Sequence, residues 1–500
     1  MENTKSRLEL LAEKLREKVH EMRVPVAACL LFALAAYMFV FTNKLLNLDE
    51  IAGLFGKGET FTSGRWALRL TSFFFPDYSM PWINGLLSVF LLTTAVCLVI
   101  DVFEIQSRME QILLAGLLMT FPSQTLTYTY MFTCAPYALA LLLAVASVYL
   151  TLQGGKGRFA LGIVCLCLSL GIYQAYLSVT ASLYVVYCIK MTIDGEKESK
   201  DVVKCGILCV VSLILSLAAY FIVNKLVMRF AAAEYNSYAE AAWNTDIKSL
   251  LSGLRVAFTA FFGYFYKGYY HLVPTKFSML LHIASLVLIA MPLTQWLFRC
   301  KDTGRRVLLI ALLFLFPFSV NCIYIISAQR HTLMLTSFTS VYVLAALVWE
   351  MTDRKKLRSA LAGCLALMIV CNIFYANRLY LKMKLEYEEA YSFYTGLITR
   401  VKSTEGYDAD TMLILSGDAG NLVYHADEID TSDLVGVMEG LLNIYSRYDF
   451  LRYYVGYDYN PIDWDGWAAL DKADEVAKMP LYPYDGSVRK FGDYMVVKLS

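Results

Sequence analysis

The sequence predicts an all-α polytopic membrane protein with a small α/β domain at its C-terminal end. Three observations predict it. Hydrophobic residues make up 58% of the chain and charged residues 17%, where a soluble domain carries about 25% charge; mean hydropathy is +0.51. Apolar runs long enough to cross a bilayer as a helix, about 20 residues, recur up to residue 380. Beyond that point the sequence turns polar and none of the twelve cysteines occurs. The net charge of +1 gives no bulk electrostatic reason to expect a nucleic-acid partner.

Residues 1–23 carry Leu8, Leu11, Leu15 and Val19 at helical spacing among basic residues. This is the pattern of an amphipathic helix on the cytoplasmic membrane surface. It is not a secretory signal, because the basic stretch is too long and the Ala33-Leu34-Ala35 match lies in mid-segment. A membrane domain over 24–380 is expected to hold about eleven transmembrane helices: 24–46, 80–101, 111–128, 134–152, 157–172, 175–193, 203–227, 276–298, 307–327, 331–350 and 359–380. The apolar stretch from Phe159 to Ile193 is too long for one crossing and is flanked by Arg158 and Lys190, so it turns back on itself. Gly171-Ile172-Tyr173-Gln174 is the natural turn, Gly permitting the backbone and Gln174 being the only amide there. The aromatic stretch Val256 to Tyr270, with Gly263, Lys267 and Gly268, reads as interfacial or re-entrant, with a true crossing as the alternative. The cysteines behave as small hydrophobes. A metal reading of Cys165/Cys167 or Cys205/Cys209 lacks any accompanying His or carboxylate inside the membrane.

Basic residues set the orientation. With the N-terminus inside, Lys5 to Arg23, Lys156 and Arg158, Lys190 to Lys204, Arg299 to Arg306 and Arg354 to Arg358 all fall on the inner side. Segments 47–79, 171–174, 228–275, 328–331 and 381–500 then lie outside. In 381–500, Leu385–Val401 reads as a helix and Thr411–Leu415 as a buried strand. A helix over Ser432–Tyr445 and a closing strand, Tyr494–Lys498, follow. About 120 residues suffice for a small core of their own, so this segment is expected to be an extracytoplasmic α/β domain.

The outer side collects Asp49, Glu50, Arg65, Arg69, Gln174, Lys267, His271, Arg330 and His331. Cations there run against the positive-inside bias and suit a lipid-linked phosphate: Arg offers a planar fork, Lys a point charge. A nearby carboxylate can deprotonate an acceptor hydroxyl, and a departing lipid phosphate needs cationic stabilisation. Together these describe a transferase moving a sugar from a polyprenyl phosphate to a polysaccharide. Each residue also has a plainer reading. Asp49 and Glu50 fit a helix N-cap or a solvated loop. Arg65 and Arg69, beside Trp66, Leu70 and Phe73–Phe75, fit an interfacial helix with snorkelling arginines. Gln174 fits the satisfaction of broken backbone, Arg330 and His331 an ordinary turn, and Lys267 an anchor in an aromatic belt. Asp408-Ala-Asp410 and Asp463-Trp-Asp465 match the D-x-D form of nucleotide-sugar sites, but lie in the domain placed outside, where nucleotide sugars are absent. Asp463, Trp464 and Trp467 fit contacts to an acceptor glycan instead.

Leu48-Asp49-Glu50, Ser63-Gly64-Arg65-Trp66 and Gly171 to Ser178, in this order, resemble the bacterial glucosyltransferases of the serotype-converting Gtr type, which add side-branch glucose to O-antigen. The resemblance covers about residues 25–380. It implies a GT-C-like multispan fold and transfer of glucose from undecaprenyl-phosphate-glucose on the outer side of the cytoplasmic membrane, with inversion. By the same resemblance Asp49 or Glu50 is the catalytic carboxylate, Arg65 the motif arginine and Gln174 the motif glutamine. The family often shows two aspartates where this chain has Asp-Glu, so which acts as base stays open. Arg330 and Lys267 join Arg65 as donor phosphate ligands on charge and location, and Trp66, Tyr173 and His331 join Gln174 as substrate-binding candidates. No cofactor is required; a divalent metal at Asp49/Glu50 is compatible with the residues but is not predicted. The expected partners are the lipid-linked donor, a polysaccharide or lipid-linked glycan acceptor and membrane lipids. The alternatives are a lipid-linked glycan flippase or transporter, which would bury charge near the midplane, and a polysaccharide polymerase using a diphosphate-linked donor.

Overall fold

Among the residues described by the computed structural model (16–18, 20–52, 60–75, 78–235, 246–266, 276–328, 330–419, 429, 440–458, 464–471 and 473–500), helix dominates. Nine helices there are long and apolar enough to cross a membrane: Arg23–Thr42, Pro81–Phe103, Met131–Leu152, Gln174–Asp194, Ser199–Phe230, Lys276–Arg299, Thr303–Val320, Thr332–Met351 and Lys355–Ser403. Two further predicted crossings form helices that are shorter, Arg108–Thr120 and Lys156–Ile172. The chain divides into two compact units, Met1–Asn43 with Lys57–Asn377, and Lys44–Gly56 with Arg378–Ser500.

The first unit is a helical body. Several of its long apolar helices carry apolar residues on their exposed as well as their buried faces, which is compatible with lipid on the exposed side. Arg23–Thr42 turns Ala28, Ala33, Ala36, Tyr37 and Phe41 inward and leaves Leu30, Leu31, Leu34 and Met38 exposed. Small residues on the inner face let helices approach closely. The chain reverses where expected after Lys156–Ile172: Tyr173 is extended, Gln174–Tyr176 is a 3-10 turn, and Leu177–Asp194 runs on. The reason differs from the sequence expectation. Gly171 lies within the helix and is not a backbone hinge. The aromatic stretch forms the helix Ile247–Tyr266, whose Ala257, Ala260, Phe261 and Tyr264 are buried; Lys267 to Tyr270, and His271, lie outside the described residues.

Segments 359–380 and 385–401, expected as separate helices, are one helix, Lys355–Ser403. The residues between them, Leu381 to Lys384, are good helix formers without Gly or Pro.

The second unit has a three-stranded sheet of β1 (Met412–Ser416), β2 (Val488–Phe491) and β3 (Tyr494–Lys498), in the order β1-β3-β2. β1 and β3 are parallel, with Met412 opposite Tyr494; β2 and β3 are antiparallel, with Val488 opposite Val497. Alternation puts Leu413, Leu415, Met495 and Val497 on one face, against Tyr394, Leu397 and Val401 of the long helix and Leu46, Leu48 and Ile51 of the 44–56 segment. Ile414 and Val496 face Val476 and Met479 on the other. The β2 strand was not expected from sequence, since Arg489 and Lys490 are exposed and mask its apolar pattern. Of the helix expected over Ser432–Tyr445, residues 432–439 lie outside the described set and 441–445 form turns and a bend. There the Asn443 side chain donates to Gly440 O at 2.9 Å and accepts from Ser446 N–H at 2.8 Å, local bonds that compete with helix.

Candidate functional site

In the first unit the Ser63-Gly64-Arg65-Trp66 turn is built from its backbone outward. Gly64 N–H donates to Phe61 O at 2.9 Å and Arg65 N–H to Thr60 O at 2.8 Å. Gly64 has φ +71°, a conformation that disfavours any side chain. The Gln174 amide donates to Ser63 O at 3.1 Å, and the Tyr220 hydroxyl donates to Gly64 O at 3.0 Å. Trp66 begins a short helix, Trp66–Leu70, and is buried. Its ring lies on Gly171, where an added Cβ would come within 2.7 Å of Trp66 Cε2 and 2.8 Å of Ala67 Cβ. Gly171 therefore serves close approach of the two motifs, not the turn.

Arg65 and Arg69, read together from the sequence, part company. Arg69 is exposed beside Leu70, Phe73 and Phe74, the snorkelling arrangement. Arg65 turns inward: one guanidinium nitrogen donates to the Tyr137 hydroxyl at 3.2 Å, and Cζ stands 5.6 Å from the Tyr173 ring centroid. Tyr137 and Tyr173 are themselves stacked, 4.7 Å apart at 17°. A part-buried guanidinium attracts an anion more strongly than one in open water. His331 joins this group electrostatically: burial, and then the positive charge of Arg65, hold its imidazole below the ordinary value.

The structure thus brings together Arg65, Trp66, Tyr173, Gln174 and His331 within one unit. Arg330 is exposed, and Lys267 lies outside the described residues. Three residues here went unnoticed in the sequence: Tyr137, Tyr220 and Asn224. The tyrosines, two among thirty-five, left no signal. Asn224 did leave one, an amide within an apolar helix. It is 2% exposed, donates to the Tyr235 hydroxyl, and its Oδ1 lies 3.9 Å from where a Gly64 Cβ would stand.

The carboxylates belong to the second unit and sit on a short helix, Leu48–Ala52, rather than a loop. Asn47 caps it, accepting from Asp49 N–H at 3.0 Å, so both acids occupy the first turn, where the helix dipole favours negative charge. Their surroundings differ. Asp49 is exposed. Glu50 is 1% exposed and ion-paired with Lys44. The helix packs on Arg447–Phe450, and burial together with the charge of Glu50 pushes the Tyr454 phenol up. Of the D-x-D aspartates, Asp408 pairs with Lys490 at 2.9 Å, which lowers its carboxyl, and Asp410 is exposed; Asp463 lies outside the described residues. Among the described residues no group of three or more His, Cys, Asp or Glu is placed to hold a metal ion.

A family model described as Glucosyl transferase GtrII matches residues 38–349, more than half of the chain. No curated protein and no solved structure matches it.

Proposed function

The chain belongs to the glucosyl transferase GtrII family, and from that premise we propose that it moves glucose, or a similar hexose, from a polyprenyl-phosphate carrier to a cell-surface polysaccharide. The reading places the reaction on the outer face of a bacterial cytoplasmic membrane and the helical unit in the GT-C class. The observation that carries it is Arg65, an inward guanidinium held by Tyr137 and Tyr173 inside an apolar body. Such a cation suits a phosphate ester whose hydrophobic tail stays in lipid. In the proposed step the acceptor oxygen bonds to the anomeric carbon from the face opposite the phosphate. The carbon–oxygen bond to phosphate breaks, and the acceptor proton passes to Asp49 or Glu50. Arg65 stabilises the phosphate as it leaves, with His331 and Arg330 as further contacts and Lys267 as a candidate ligand. No nucleotide takes part.

Purified protein in lipid nanodiscs, given polyprenyl-phosphate-[14C]glucose and a cell-wall polysaccharide extract, is expected to label the polysaccharide. Failure with glucose but labelling with another hexosyl carrier changes the sugar. Failure with every carrier, alongside carrier translocation in proteoliposomes, overturns the reading in favour of a flippase. The outer location has its own test. A cysteine replacing the exposed Asp410 is expected to react with an impermeant maleimide in intact spheroplasts. Labelling only after lysis would put this unit on the inner side.

A further inference from the structure

We infer that Tyr220, on the Ser199–Phe230 helix, is a positioning residue for Arg65: with Gln174 it locks the Ser63-Gly64 turn and so sets the direction in which the guanidinium meets the donor phosphate. The inference rests on the donor-site reading of Arg65 given above.

Three hydrogen bonds carry it. Gln174 Nε2 donates to Ser63 O at 3.1 Å and to the Tyr220 hydroxyl oxygen at 3.2 Å, and that hydroxyl donates to Gly64 O at 3.0 Å. Two successive carbonyls on the outside of the turn are thereby satisfied by two side chains that also bind each other. In an apolar surrounding an unsatisfied carbonyl is costly, so the turn has one favoured conformation. The lock is tight. A Cβ on Gly64 would stand 2.8 Å from the Tyr220 oxygen and 3.2 Å from Gln174 Nε2. Tyr220 is 1% exposed, and its one proton is committed to Gly64. Gln174 Nε2 likewise serves the turn, which shifts the motif glutamine from touching substrate to acting through Arg65. Arg65 is the next residue along. A small rotation at its Cα is amplified along the side chain, and a displacement of about 1 Å at a reacting centre can cost about 100-fold in rate.

The test is a double-mutant cycle in nanodiscs, read as affinity for polyprenyl-phosphate-glucose and as kcat/KM for transfer. Tyr220→Phe keeps the ring, which packs edge-on to Phe221 at 5.2 Å, and removes only the hydroxyl. It is expected to weaken donor affinity and kcat/KM about 10-fold with the melting temperature little changed. In an Arg65→Ala background the same substitution is expected to add almost nothing, because residues acting as one unit are not additive. A purely structural role would cost the same in both backgrounds, and that result, or wild-type kinetics for Tyr220→Phe, overturns the inference. Gln174→Met removes the same relay from its other end and decides the matter if Tyr220→Phe does not fold. Wild-type donor affinity for Arg65→Ala alone would instead reject the donor-site reading, and the inference with it.

Discussion

Asp49→Asn is expected to lower transfer by about 100- to 10,000-fold, the usual contribution of a positioned general base, with donor affinity unchanged. The two acids are neighbours in sequence but not in environment. Asp49 is exposed on the first turn of its helix, whereas Glu50 is buried and paired with Lys44. A base must be open to the acceptor hydroxyl, and of the two carboxylates only Asp49 is exposed. Glu50→Gln is therefore expected to act mainly on the fold, lowering the melting temperature through the weakened pair with Lys44, with a smaller loss of kcat. The measurement is kcat at saturating donor for both variants beside their thermal melts. Loss of kcat confined to Glu50→Gln would reverse the assignment and make Glu50 the base.

Arg65→Ala is expected to raise the donor KM about 100-fold or more, since truncating one partner of a desolvated charged contact costs about 2–5 kcal/mol. Arg65→Lys is expected to recover little of this. Lysine keeps the charge but has no planar fork to lie on the Tyr173 ring and reach the Tyr137 hydroxyl together. Arg69→Ala is the control: that side chain is exposed among exposed phenylalanines and is expected to leave donor KM within a few-fold of wild type. Donor titrations at fixed acceptor check all three. Equal effects at positions 65 and 69 would return both arginines to the snorkelling role.

The mostly helical character, the approximate positions of most of the long apolar helices, the reversal at residues 171–174 and two of the three strands were legible in the sequence. They depend on local composition: runs of apolar residues long enough to span lipid, basic flanks, and short β-branched stretches in a polar tail. The family was legible too, because Gly-Arg-Trp and Tyr-Gln are fixed by contacts that admit few other residues.

What depends on approach between distant segments was not legible. Spacing could not tell Arg65 from Arg69, four residues apart; the Tyr137–Tyr173 stack, contributed by segments far from both arginines in the chain, draws one inward. Nor could it tell Asp49 from Glu50. Leu46, Leu48 and Ile51 join the core around the sheet of the second unit, and that packing decides which neighbouring carboxylate is buried. Gly171 was recognised from sequence but for the wrong reason, since a missing Cβ looks the same whether it frees a backbone or admits an indole. The sequence alone determined the class of molecule and the residues its motifs share. Tertiary packing decided which of those residues are buried, which are paired, and so which chemistry each can perform, because burial and pairing are properties of contacts and not of a residue's place in the chain.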